Sequence, residues 1–222
     1  MDARLATLME VPVFWTALAL ASVLALAARA AAWRQAFASG ALHRFFGGAL
    51  ALALLWIARA DPGQGLPLQL VGVPLLTLML GPALAMWSAA LAATILASVF
   101  HQSASVAIWN ALFLGAVPAL ATDLGRRAVA QWLPAHPFVY ILGNGFFITG
   151  LAAAAAQLCA AALLLATGSG TGSSLLAQYA PFILLIGFGE ATLSGMLLTL
   201  MVVYLPNWVA TFEDRHYLQR PS

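Results

Sequence analysis

Residues 179–204 read YAPFILLIGFGEATLSGMLLTLMVVY, with one acid, Glu190, and no base. A bilayer-spanning helix needs about 20 mostly apolar residues, so this stretch is long enough to cross with a turn to spare. Its composition is that of the whole chain. Of the 222 residues 63% are hydrophobic and 7% charged, against roughly 25% charged in soluble domains. Water could not solvate so uncharged a surface, so the solvent for most of this chain is lipid. The chain reads as one integral membrane domain over residues 1–222, with 205–222 as a short cytoplasmic tail.

Charge, glycine and proline mark off the other apolar runs. They fall at Val11–Ala28, Leu42–Ala58, Leu66–Leu80, Pro82–Phe100, Val106–Ala121 and Phe138–Ala166. With the opening stretch, they predict an all-α polytopic bundle of about seven transmembrane helices. The third run is short, contains Pro74 and stops at Gly81-Pro82. It predicts a broken or re-entrant helix, which a membrane tolerates only where neighbouring protein buries it.

The basic residues orient the bundle. All nine are arginine. With seven spans and an outer N-terminus, the inner side holds Arg29, Arg34, Arg44, Arg126, Arg127, Arg215 and Arg220, and the outer side Arg4 and Arg59. That asymmetry predicts an N-out, C-in protein. The acidic opening of Met1–Glu10 does not resemble a signal peptide, whose first region is positive, so Val11–Ala28 reads as a retained span. The scattered arginines give no nucleic-acid surface.

Several chemistries are excluded. Without lysine the chain has no P-loop, so it does not hydrolyse ATP by that route, and it has no Schiff-base lysine for retinal. The single cysteine, Cys159, forms no internal disulfide or Cys-x-x-Cys site and reads as a small packing residue. His43, His101, His136 and His216 are divided between the two faces, so no three share a metal ion. No Ser-His-acid set or carboxylate pair is visible, and the chain is not expected to be an enzyme; lipid or prenyl chemistry ranks last among the readings.

The polar residues at membrane depth remain. Glu190 lies about eleven residues into the last span, near mid-membrane at about 1.5 Å per residue. An ionised carboxylate there costs about 2.5–3.5 kcal/mol on insertion scales. It must be paired, protonated or facing water, either as a functional acid or as a carboxyl bonded to a neighbouring helix. Asn110 and Asn144 read as interhelical hydrogen-bond partners. Small residues, Ala17, Ala21 and Ala25 at spacings of four in the first span and Gly143, Gly150 and the alanines after it in the sixth, predict close helix packing, or else a groove for a partner membrane protein.

From the third span onward the chain resembles the CbiM-like family, the substrate-capture membrane components of energy-coupling-factor transporters for cobalt and nickel. The resemblance is carried by Gly65-Leu-Pro-Leu-Gln-Leu-Val-Gly72, Leu80-Gly81-Pro82, Trp109-Asn110-Ala-Leu-Phe, Phe188-Gly-Glu190-Ala through Gly195, and the ending VVYLPNWVATFEDRHYL, which resembles a proteobacterial branch. It implies a bacterial inner-membrane protein that binds its substrate in an outward-facing pocket lined by the Met1 amine, Asp2, Gln69 and Asn110. It also implies a transmembrane coupling protein and a pair of soluble ATPases as partners. The family's metal-capturing members place histidines where this chain has Asp2 and Gln69. Imidazole suits cobalt and nickel better than an amide oxygen does, so the substrate here is either a metal ion held differently, with His101 as a candidate ligand, or another small solute. The alternative is a non-transporting accessory subunit or assembly factor of a larger membrane complex that reuses the fold.

Overall fold

The computed structural model describes residues 13–30, 41–59, 69–166 and 172–212. Every regular element among them is helical. Helix α1 covers Val13–Ala30, α2 Ala41–Ile57, α3 Val73–Leu80 and α4 Pro82–Val99. Helix α5 covers Ala104–Trp132. Helix α6 opens at Pro137 and ends with Thr149–Ala166, and α7 covers Gly172–Tyr204. A single 3₁₀ turn, Pro206–Trp208, follows.

Among the described residues, four helical stretches are long and apolar enough to cross a membrane: Pro82–Val99, Ala104–Trp132, Pro137–Ala162 and Pro181–Tyr204. Their outer surfaces carry Leu151, Leu184, Phe188 and Met196, all well exposed. Large apolar side chains arrayed this way suit hydrocarbon and not water. The structure is that of an α-helical membrane protein.

Helix α4 is the hub. Its residues Ala85, Ala89, Ala92 and Ala93 are buried among α1, α2, α3 and α5. Alanine suits this place because it loses no side-chain entropy in a helix and lets neighbouring backbones come close. A Cβ at Gly115 of α5 would lie 3.0 Å from the Ala89 Cβ, which puts α5 directly against this surface.

Helices α6 and α7 pack antiparallel through glycines. Gly145 faces Gly195 and Gly150 faces Gly187; a Cβ on Gly150 would stand 2.8 Å from the Gly187 carbonyl oxygen. The small residues of the sixth span therefore pack internally, as read from the sequence. Those of α1 do not: Ala21 and Ala25 are exposed. Cys159 is exposed as well, so it is not the packing residue its alanine-rich setting suggests.

Three expected spans change length, the seventh by starting at Gly172 and not at Tyr179. Among the described residues the third is helical over Val73–Leu80, and residues 69–72 approach it as irregular backbone. The fifth runs past Ala121 to Trp132, because Asp123 ion-pairs with Arg126 at 2.8 Å and Arg127 at 2.7 Å on the helix surface. Those pairs at i, i+3 and i, i+4 continue a helix that hydropathy alone would end. Arg126 and Arg127 thus sit on α5 and not in a loop.

Both α5 and α6 contain π-helical stretches, Ala111–Ala116 and Tyr140–Ile148. The first directly precedes Val117-Pro118. Proline has no N–H to continue the α ladder, and a wider turn re-routes the bonding ahead of it.

Candidate functional site

The short helix α3 organises the interior, and both of its ends are held by the end of the chain. At its N-terminal end Glu190 of α7 reaches the backbone. Its Oε2 accepts from the Val71 N–H and its Oε1 from the Gly72 N–H, each at 2.8 Å. The Ser194 hydroxyl, one turn on, donates to the same carboxylate. The Val71 carbonyl is bound from the other side by Trp56 Nε1 at 2.9 Å. The two bonds from the α3 backbone join Glu190 to residues 119 and 118 positions away, and Glu190, Val71, Trp56 and Ser194 are all buried.

A helix N-terminus leaves backbone N–H groups unpaired and carries positive partial charge. A carboxylate just ahead of it answers both. Glu190 is 1% exposed, and its partners are backbone N–H groups in place of an arginine. Gly72 makes the geometry available. Its φ of +69° is left-handed backbone that glycine enters without steric cost. A Cβ there would also lie 2.8 Å from Leu55 Cδ2 and 2.9 Å from Leu52 Cδ2. Pro74 sits in the first turn of α3, where its missing N–H costs nothing.

The C-terminal end of α3 is held by residues 209–212. The Ala210 N–H donates to the Met79 carbonyl at 3.0 Å, and Thr211 donates to the Leu78 carbonyl through Oγ1 at 2.7 Å. The Tyr140 hydroxyl lies 2.6 Å from Thr211 Oγ1. Arg44 donates to the Asn207 carbonyl at 2.7 Å, and the His43 ring meets Trp208 edge-on at 5.7 Å. His43 is thus a packing partner of the segment after α7. His136 likewise caps α6, its Nδ1 accepting from the Phe138 N–H.

Above the N-terminal end of α3 lies a cavity of about 140 Å³. Its described polar lining is Gln69, Asn110, Gln102 and Arg59. Trp56, Ile57, Leu96 and Phe100 supply the apolar wall. Gln69 and Asn110, two of the four residues the resemblance assigns to a pocket, therefore share one cavity. The other two, Met1 and Asp2, lie outside the described residues. His101 is exposed and is not among the described lining residues, although its neighbours Phe100 and Gln102 are. Its φ of +49° marks a tight turn between α4 and α5. Glu190 is not a described lining residue either; its carboxylate faces the α3 backbone.

Arg59, Gln102 and Trp56 are site residues that sequence reading missed. Trp56 carried one usable signal: a tryptophan N–H at membrane depth needs an acceptor. Arg59 and Gln102 carried none beyond lying near span ends.

Among the described residues no three His, Cys, Asp or Glu side chains come together as a metal site. The cavity can offer carboxamide donors and acceptors, one guanidinium and aromatic walls. Comparison of the chain with protein families, with curated proteins and with solved structures gave no match.

Proposed function

We propose that this chain is the substrate-binding membrane component of an energy-coupling-factor-type transporter, taking up a transition metal ion such as cobalt or nickel, or another small solute. The observation that carries the reading is the shared cavity of Gln69 and Asn110, set at the start of a short interior helix. Ligand pockets between helices of a bundle commonly take this form, a mostly apolar wall with a few convergent polar groups. In this reading seven helical segments cross a bacterial inner membrane, with α3 as the short one. The N-terminus and the cavity face outward, and seven of the nine arginines face the cytoplasm. A coupling protein and an ATPase pair supply the energy.

The test is calorimetry on the purified protein against nickel, cobalt and a panel of small solutes. Saturable binding weakened by Asn110→Leu is the expected result. Heat-silent titrations for every ligand, together with purification from native membranes without any ATPase, would overturn the reading. A reporter fused to the C-terminus is expected to stay cytoplasmic.

One observation favours the accessory reading. Ala21 and Ala25 form an exposed small-residue ridge on α1, the kind of surface on which a second membrane helix packs closely. Co-purification of a stoichiometric membrane partner, with no ligand bound, would select it.

A further inference from the structure

We infer that the cavity takes a small organic monocarboxylate and not a divalent metal ion. The inference rests on the capture reading above and narrows its substrate. Charge decides first. Arg59 is the one charged side chain among the described lining residues, and a guanidinium does not lose its proton in a protein. A divalent cation entering there would be repelled by it and would meet no described carboxylate or imidazole. An anion gains what the cation lacks.

Donor geometry decides next. Gln69, Gln102 and Asn110 line the same space, and each carboxamide carries two N–H donors. With a guanidinium fork, which matches a carboxylate through two parallel bonds, they supply more donors than two carboxylate oxygens need. Trp56 adds none: its indole N–H is committed to the Val71 carbonyl. Its ring, with Phe100, forms an apolar wall suited to a short carbon body.

Size and charge count set the rest. About 140 Å³ is room for about four or five waters at about 30 Å³ each, which fits an acid of a few carbons. One guanidinium balances one negative charge, so a monocarboxylate is matched where a dicarboxylate is not.

The experiment uses the full chain in phosphatidylcholine nanodiscs, read by tryptophan fluorescence and thermal shift. The probes are lactate, its neutral isostere lactamide, and nickel chloride. Lactate should bind saturably and lactamide at least about tenfold more weakly, the range of one charge-assisted bond. Arg59→Gln should cost lactate at least about tenfold while leaving lactamide within about twofold. Gln69→Leu should weaken both.

Equal affinity for lactate and lactamide would overturn the inference. So would nickel binding abolished by Gln69→Leu, and that result would leave the capture reading standing. Silence toward all three probes would sink both. Lactate binding that disappears in phosphatidylglycerol nanodiscs would assign the site to a lipid headgroup and overturn the free solute.

Discussion

The two ends of α3 are secured by opposite means. The N-terminal end is held by a buried charge: one carboxylate spans the Val71 and Gly72 N–H groups. The C-terminal end is held by neutral groups, a threonine hydroxyl and two backbone N–H groups from the segment after α7. The helix dipole accounts for the asymmetry. An anion is favourable at the N-terminus, whereas neutral donors suffice for the carbonyls at the other end. The charged end adjoins the cavity and the neutral end lies away from it. So the end beside the cavity has the stronger bonds, since hydrogen bonds to charged groups are worth about 1.5–3 kcal/mol against about 1 for neutral ones.

The most direct test of this contrast is Glu190→Leu. It strands the Val71 and Gly72 N–H groups in the interior, at about 1–3 kcal/mol each. Removing the buried charge returns part of that, because its own desolvation is relieved. The net expectation is a loss of about 3 kcal/mol, seen as a large fall in melting temperature in detergent and in the monodisperse fraction. Glu190→Gln keeps one acceptor oxygen and should lose about half as much. A leucine variant more stable than the parent would break the comparison. Glu190 would then be a functional acid kept at the expense of stability.

Glycines at the two ends sharpen it. Gly72 and Gly81 both have positive φ, +69° and +84°. A Cβ at Gly72 would strike Leu55 and Leu52, whereas at Gly81 it would meet nothing within 4 Å. Gly81→Ala should therefore cost only backbone strain, about 1–3 kcal/mol. Gly72→Ala should cost that strain plus overpacking, typically a further 1–3 kcal/mol or so. The difference between the two variants, by thermal denaturation, isolates the crowding at the charged end. Equal losses would mean that Leu52 and Leu55 move aside freely.

How much of this was legible in the sequence differs between the two ends. The break at Gly81-Pro82 is a local signal and marked where the short helix ends; Pro74 read as an interruption inside the run, whereas it sits in the first turn of α3. Glu190 was legible as an acid that needed a partner. The partner was not: the Val71 N–H is 119 positions away, and backbone groups carry no mark in a sequence. The segment after α7 read as a short cytoplasmic tail, because nothing local shows that Thr211 meets Leu78. Helix α5 outran its apolar run because Asp123 pairs with both Arg126 and Arg127 at helical spacing. At the cavity, Gln69 and Asn110 were picked out only by resemblance. Arg59 and Gln102 entered through three-dimensional proximity.

At the neutral end, Thr211→Val should cost about 1–2 kcal/mol. It removes the hydroxyl that donates to the Leu78 carbonyl and lies against the Tyr140 hydroxyl, and it keeps the shape. The Thr211 N–H still faces the Leu78 carbonyl at 3.3 Å, so the carbonyl is not stranded and the loss stays below that of Glu190→Leu. Thr211→Ser should restore most of it. A valine variant as damaging as Glu190→Leu would make the two ends equivalent and remove the argument from charge.

The smallest effect on stability is expected from Gln102→Ala, in the cavity itself. The Gln102 backbone N–H donates to the Ala97 carbonyl at 2.8 Å, and alanine keeps that bond and the turn around His101. The lost side chain lines a cavity, so truncating it opens space already present and creates no new hole in packed core. Stability should therefore stay within about 0.5 kcal/mol of the parent. Ligand affinity, read by the tryptophan fluorescence of the same samples, should fall several-fold, about 1 kcal/mol for one neutral hydrogen bond. That separation, binding lost while the fold holds, is what distinguishes the cavity from the two clamps beneath it. If Gln102→Ala destabilises as Thr211→Val does, the carboxamide is part of the scaffold, and the polar lining belongs to the clamped framework and not to a ligand site.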